Sequence, residues 1–376
     1  MKGLLFATRW VDPLQTMTGI GRYMVELTRA LAEAGKAEGW RYDICGPRER
    51  GRPTWLPAGV GYRPVAVGRT PLRLAWAAMS APALERFVDG FDLVHHLHSS
   101  SPLPTRRPSV VTIHDLMPVQ HPEWYSPGVG WAARRAMGHI AEGTGPVIAD
   151  SQHIANLVSS VGGVSSTRIT VIHLAVGDNF REPIDSSRIG AVCSGRGVEP
   201  GAFLLAVGNV STRKNLGTIV RTMAHLRDPG IRLLVAGRTH SDTARLQAEI
   251  QRLGLGERVR FAGFVADREL PALMRGAVAL VHPSVDEGFG LPPLEAMAAG
   301  TPVIAACAGS IPEIVGEAAL LVVPGDIGAW ADAVTRVRDD PDLRARLSAA
   351  GRARAADFTW HRTAERTLAV HRAALG

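Results

Sequence analysis

The sequence predicts an α/β protein made of two doubly wound, Rossmann-like domains with parallel sheets. Three observations carry this. Short apolar runs alternate with amphipathic stretches along the whole chain, the signature of βα units. The length of 376 residues exceeds what one core usually holds, so two domains of roughly 180 residues each are expected. From Phe203 onward most apolar runs are followed by a helical stretch. That is the pattern of an open sheet that binds ligands beyond the carboxyl ends of its strands.

In the first half, Leu4–Ala7 reads as a strand and Tyr23–Ala34 as a helix. A helix is expected around Leu72–Val88, then strands Leu93–His96 and Ser109–Ile113, a helix around Val129–Ala141, and strand Val147–Ala149. Phe180–Pro200 is rich in Pro, Gly and Ser and reads as a linker with a helix. The second half gives strands Phe203–Val207, Arg232–Ala236, Val259–Phe261, Ala279–Val281, Pro302–Ala305 and Ala319–Val322. Asp342–Leu375 is helical and rich in Arg and Ala, and no internal repeat is evident.

Hydrophobic residues at 46% and charged residues at 20% are ordinary for a soluble globular chain. No apolar run approaches the ~18 residues of a membrane span. Met1–Ala7 is apolar, but Arg9 ends the run and no small-residue cleavage site follows, so it reads as a buried strand and not a signal peptide. Cys45, Cys193 and Cys307 are scattered and fit neither a disulfide framework nor a metal site, which suits a reducing, cytoplasmic compartment. Net charge is +7, and the only lysines are Lys2, Lys36 and Lys214. Residues 1–180 hold 18 basic against 14 acidic side chains, and the remainder 24 against 21. That even spread fits a general Arg bias better than a dedicated anionic partner. Nucleic acid is not an expected partner, because aromatics do not interleave with the basic residues.

Four constellations carry chemistry. Glu287-Gly-Phe-Gly-Leu-Pro-Pro-Leu-Glu295 follows a strand and opens a helix. Gly288 and Gly290 allow close backbone approach, a proline suits the first helical turn, and the helix N-terminus offers free N–H groups and a positive dipole to a diphosphate. Glu287 and Glu295 repel phosphate and are better placed as acceptors for sugar and ribose hydroxyls. Arg213-Lys214-Asn215 lies between the first strand and first helix of the second half, where two cations would neutralise a leaving diphosphate. Thr18-Gly19-Ile-Gly21-Arg22-Tyr23 holds the equivalent place in the first half, as a flexible loop lacking the third glycine of a dinucleotide fingerprint. His114-Asp115 ends a buried strand; His114 faces the crevice there, or serves only to cap a loop. His95, His96 and His98 superficially resemble a metal cluster, but no third ligand has suitable spacing, and no serine sits in a nucleophile elbow.

These residues resemble glycosyltransferase family 4, whose signature is a glutamate, seven residues, and a second glutamate. The resemblance extends through Val235-Ala-Gly237, Phe261-Ala-Gly-Phe264, His282-Pro-Ser284 and Gly300-Thr-Pro302, and in the first half through Thr18–Tyr23, His121–Tyr125, Asp150-Ser151 and Val171–His173. It implies the GT-B fold: an N-terminal acceptor-binding domain over 1–185, a nucleotide-sugar-binding domain over 186–355, and a last helix over 356–376 crossing back to the first domain, with the active site in the cleft between domains. It also implies that Glu295 binds ribose and Glu287 the transferred sugar. Arg213, Lys214 and the backbone of Gly288, Phe289, Gly290 and Leu291 would bind diphosphate. Gly19 would approach the donor phosphate, Gly263 and Phe264 the base, and His114 the sugar. Asn209 departs from the Arg or Thr common there, which puts more weight on Arg213 and Lys214.

The family retains anomeric configuration, so front-face substitution without a metal or other cofactor is expected. Asp340-Pro-Asp342 matches the Asp-x-Asp of metal-dependent transferases, but it reads as a helix start with Asp342 as the N-cap. Alternatives are a nucleotide-sugar epimerase on the same fold or a non-catalytic sugar-nucleotide-binding protein. The expected donor is a nucleotide-sugar, first GDP-mannose. The acceptor is a saccharide or lipid-linked saccharide of bacterial polysaccharide or lipopolysaccharide assembly. Peripheral contact with an anionic membrane is compatible with the Arg-flanked stretch Arg69–Arg86.

Overall fold

A computed structural model describes residues 1–6, 19–47, 51–65, 82–99, 103–226, 228, 230–239 and 242–376. The chain divides into two compact units: Met1–Ala175 with Thr359–Gly376, and Val176–Phe358.

Unit 1 is a parallel sheet of seven strands: β1 (Lys2–Phe6), β2 (Arg41–Pro47), β3 (Gly61–Val65), β4 (Leu93–His96), β5 (Ser109–Ile113), β6 (Val147–Ala149) and β7 (Ile169–Val171). Their spatial order is β3-β2-β1-β4-β5-β6-β7, so the order reverses between β1 and β4. The central strands are buried on both faces apart from the half-buried Ser109, as a sheet covered on two sides requires; His95, His96 and Thr112 are the polar residues among them. Helix α1 (Gly19–Ala37) packs against the C-terminal helix α2 (Trp360–Leu375). On the other sheet face, helix Pro127–Glu142 brings Met137 and Ile140 onto Val111, Ile113 and Val147.

Unit 2 has six parallel strands: β8 (Phe203–Val207), β9 (Arg232–Ala236), β10 (Val259–Gly263), β11 (Ala279–His282), β12 (Val303–Ala306) and β13 (Leu320–Val322). Their order is β10-β9-β8-β11-β12-β13, with its reversal between β8 and β11. Trp330 is fully buried in a core that gathers residues from β8, β9, β11 and β12. In the linker stretch, helix Ser186–Ser194 is capped by Asp185, whose carboxylate accepts from Ser187 N at 2.7 Å.

Several expectations need correction. Gly19, Gly21 and Tyr23 do not form a loop; they lie in the first turns of α1, and Thr18 is outside the described residues. So are Ala7, most of the expected helix Leu72–Val88, and most of the Arg69–Arg86 stretch; a 3₁₀ turn, Leu84–Arg86, stands at the described end. The C-terminal stretch is not one helix. It breaks at 357–359 into Pro341–Ala356 and Trp360–Leu375, where Thr359 Oγ1 accepts from Arg362 N and caps the second helix. At Asp340-Pro-Asp342 the cap is Asp340, not Asp342: its Oδ1 accepts from Leu343 N at 2.8 Å, with Pro341 in the first turn.

Candidate functional site

In unit 2 Arg213, Lys214 and Glu287 come together at the strand-order reversal between β8 and β11, where open α/β sheets bind ligands; Gly263 and Phe264 stand at the end of the edge strand β10. After β8, Gly208 has φ 140°, and a Cβ there would lie 2.9 Å from Lys214 Cε. Glycine therefore leaves room for the lysine stem. The 3₁₀ turn Thr212–Lys214 ends at Asn215, which adopts φ 48°. Asn215 Nδ2 donates to Pro283 O at 3.2 Å, and Val285 N donates to Arg213 O at 3.0 Å. These bonds tie the basic turn to the exit of β11.

Across the reversal stands Glu287, 7% exposed. Lys214 Nζ donates to its Oε1 and Arg213 Nη1 to its Oε2; Arg213 also donates to Asp286 O at 3.1 Å. His282 Nε2 lies 3.3 Å from Oε1. Burial alone would raise the Glu287 carboxyl, but the Lys214 ammonium and Arg213 guanidinium hold it well below the usual carboxylate range. Burial lowers the Lys214 ammonium, Glu287 opposes this, and Arg213 adds to it. Burial likewise lowers His282, keeping that imidazole neutral beside two cations.

Downstream, Gly288, Phe289, Gly290 and Leu291 are buried. Gly290, at φ 106°, is the N-cap of helix α3 (Leu291–Ala299), and Pro292 occupies its first turn. Pro292 and Pro293 carry no N–H and Leu294 N donates to Gly290 O, so the start of α3 offers an anion the Leu291 N–H and the positive end of the helix dipole. Ser310 braces this loop: its Oγ donates within 2.9 Å of Glu287 O and 2.7 Å of Phe289 O. Phe289 meets Phe358 edge-to-face at 6.0 Å. Glu295 is 3% exposed on α3. At the end of β10, Gly263 has φ 66°, and the Arg238 guanidinium lies over the Phe264 ring at 5.6 Å. Asn209 Oδ1 accepts from Arg238 N at 3.1 Å.

Unit 1 holds the second group. His114, at the end of β5, is 6% exposed. Its Nδ1 is 2.6 Å from Asp150 Oδ2 and its Nε2 is 2.9 Å from Leu97 O. The ring is therefore held from both sides, by a carboxyl at Nδ1 and a carbonyl acceptor at Nε2. Burial opposes that charge, but Asp150 and the Leu97 carbonyl outweigh it and raise the His114 pKa. Burial raises the Asp150 carboxyl as well, and His114 opposes that rise. Tyr23 stands edge-to-face on His114, with centroids 4.6 Å apart, and His98 lies 5.7 Å away. Gly19 begins α1.

The three histidines from the end of β4 point different ways. His95 bonds Thr112 and His371, whereas His96 sits edge-to-face on Phe6. Among the described residues no cluster of three or more His, Cys, Asp or Glu is placed to hold a metal ion. Sequence reasoning assigned no role to Ser310, His282 or Asp150. Asp150 was within reach of it, because it follows β6 as His114 follows β5. Ser310 left no pattern; only the folded chain brings it to the 287–290 loop.

A family model described as Glycosyltransferase Family 4 matches residues 17–179, and one described as Glycosyl transferases group 1 matches residues 196–354. The chain is 30% identical over 246 residues to the O-antigen chain mannosyltransferase RfbU of Salmonella typhimurium. That match covers 65% of this chain and 65% of the relative, just under two thirds of its length. Identity to O-antigen chain mannosyltransferase B of Escherichia coli is 25% over 387 residues, covering 98% of this chain and 99% of that one. The crystal structure of Anabaena Alr3699/HepE in complex with UDP and glucose superposes with a TM-score of 0.77 and 20% identity, over 99% of this chain and 100% of that one. At that identity the likeness speaks for the fold.

Proposed function

Because the chain belongs to glycosyltransferase family 4, with the GT-B fold, we propose that it moves a hexose with retention from a nucleotide-sugar to a saccharide or lipid-linked saccharide in cell-surface polysaccharide assembly. The observation that carries this reading is the pairing of Lys214 and Arg213 with Glu287 at the strand-order reversal of unit 2, beside the glycine-capped start of α3. Two cations and a helix N-terminus suit a diphosphate; an ionised carboxylate held between them suits sugar hydroxyls. The similarity to two O-antigen chain mannosyltransferases supports mannose from GDP-mannose as the donor.

In the proposed step the acceptor hydroxyl oxygen bonds to the anomeric carbon on the face from which the diphosphate departs. The carbon–oxygen bond to phosphate breaks, and the hydroxyl proton passes to the leaving β-phosphate oxygen. Lys214, Arg213, the Leu291 N–H and the positive end of the α3 dipole take up the charge that develops there, so metal-free catalysis is the expectation. Glu287 holds hydroxyls and is not the nucleophile. Each of its oxygens is engaged by a cation, and attack on carbon would require giving one up. Glu295 takes the ribose, Gly263 and Phe264 the base, and Gly19 the phosphate. His114 contacts the sugar.

Among the described residues no helix is long and apolar enough to cross a membrane. Helix Pro127–Glu142 exposes Trp131 at 48% and, three residues on and so on the same face, the cationic Arg134. This aromatic and basic pair supports peripheral contact with anionic lipid on the cytoplasmic side, where a lipid-linked acceptor resides.

The test is turnover of radiolabelled GDP-mannose and, in parallel, UDP-glucose, with bacterial lipid-linked saccharides as acceptor and chelator present. GDP release that depends on acceptor and yields an α-linked mannoside is expected. Consumption of UDP-glucose alone would move the donor assignment, and a mannosylated Glu287 found by mass spectrometry would overturn the front-face step.

A further inference from the structure

Behind His114 a line of buried polar groups runs through unit 1 to the C-terminal helix. Tyr23 Oη lies 2.8 Å from Thr112 Oγ1, and Thr112 Oγ1 lies 2.8 Å from His95 Nε2. His95 Nδ1 lies 3.1 Å from His371 Nε2, and His371 Nδ1 lies 2.9 Å from Tyr42 Oη. Every member is at most 2% exposed. Thr112 and His95 come from β5 and β4, Tyr23 from α1, Tyr42 from β2 and His371 from α2. The near end of this chain is the Tyr23 ring, which stands edge-to-face on His114 and also touches Trp360 at 6.3 Å.

We propose that His371 is a positioning residue for His114, acting through His95, Thr112 and Tyr23 to fix the ring against which the His114 imidazole is seated. This rests on the reading above that His114 contacts the transferred sugar. Each of the five groups carries one mobile proton when both imidazoles are neutral. Four hydrogen bonds then close only if the two imidazoles point the same way along the line, with the Thr112 hydroxyl relaying the direction or accepting from both sides. Burial, with the neighbouring imidazoles adding to it at His95, lowers both histidines, His371 to about 3. Both are therefore neutral at working pH, and their two N–H groups stay aligned. A neutral, fully satisfied network in a dry interior is stiff, and its members reorient only together. An apolar core would pack Tyr23 as densely but would leave its hydroxyl without the anchor that sets the ring angle. The cost of so many buried polar groups, and their convergence on the one ring facing His114, is what the positioning role explains.

The experiment compares the full-length wild type with His371→Leu, His371→Gln and Thr112→Val. Thr112→Val breaks the line at its centre with almost no change of shape. The readouts are kcat and donor KM, nucleotide affinity by calorimetry, and the ring N–H resonances of ¹⁵N-labelled His114. Positioning predicts that His371→Leu and Thr112→Val lower kcat by about tenfold or more. They should leave donor affinity within about twofold and shift or broaden the His114 N–H signals. His371→Gln, which keeps one donor and one acceptor, should restore part of kcat. If the folded variants melt at lower temperature but keep kcat per folded molecule and unchanged His114 signals, the network is only a structural device and the proposal fails. Should no nucleotide-sugar be turned over by the wild type while the His114 signals still move, the transferase reading falls and the positioning stands.

Discussion

At the residue scale the account turns on Glu287. Its single carboxylate engages both cations that a diphosphate would need and offsets one of their two charges. Glu287→Gln should therefore uncouple two properties. Free GDP should bind as tightly as to wild type or tighter, while kcat falls by about a hundredfold, because hydroxyl contacts that strengthen in the transition state are lost. Calorimetry alongside steady-state kinetics reads both. Lys214→Ala should lower unfolding stability by about 3 kcal/mol in urea titrations, since it leaves a buried carboxylate with half its compensation. Proton linkage gives a second check. Glu287 is held below its ordinary 4.5, so its stabilising contribution is complete above that pH and is lost as pH falls through the lower folded value. His114 is raised above 6.5, so its contribution is complete below that pH and is lost as pH rises through the folded value. Urea midpoints against pH should lose the acid limb in Glu287→Gln and the alkaline limb in His114→Gln. The chemical identity of Glu287, Lys214 and His114 was legible in the sequence. Their charge states were not, because these depend on partners such as Asp150 and the Leu97 carbonyl that only folding supplies.

At the scale of elements, strands apolar on both faces announced themselves. β4, β5, β6, β8 and β9 run between the residues where the hydrophobic pattern places them. The strands that escaped notice lie at sheet margins. β2 reads Arg-Tyr-Asp-Ile-Cys-Gly-Pro and β3 reads Gly-Tyr-Arg-Pro-Val. β3 and β7 are the edge strands of unit 1, with β2 next to β3, and an edge strand tolerates proline and charge. Helix ends were harder than helix bodies. The break at 357–359 interrupts an otherwise continuous helical composition, and only the Thr359 cap marks it. The loop from Glu287 to Gly290 gives a prediction at this scale. Ser310→Ala removes the one hydroxyl donor that the Glu287 and Phe289 carbonyls share, which should cost about 1–3 kcal/mol and weaken nucleotide binding through a loosened start of α3. Thermal melts with and without GDP distinguish the two effects: the ligand-induced rise in Tm should shrink in the variant.

At the scale of the molecule, unit 2 is one continuous segment, whereas unit 1 needs the chain's last residues to complete it. α2 supplies Val370 to a cluster with Leu93, Val110, Ile148 and Ile172, and His371 to the polar line. Truncation after Phe358 should therefore unfold unit 1 and leave unit 2 able to bind nucleotide, seen as loss of one of two calorimetric transitions. The two-domain doubly wound plan was readable from alternation and length alone. What each unit does came from a few residues at the strand-order reversals, where topology gathers positions that lie 73 and 74 residues apart in sequence, as for Lys214 and Arg213 with Glu287.

The most direct measurement of the central claim is titration calorimetry of GDP, UDP, dTDP and ADP, without metal, into wild type and Lys214→Ala. The account predicts selective binding of one nucleotide, GDP first, abolished or weakened by about a hundredfold in the variant. Binding of no nucleotide with or without magnesium, or equal binding by the variant, would contradict a donor diphosphate held at Lys214.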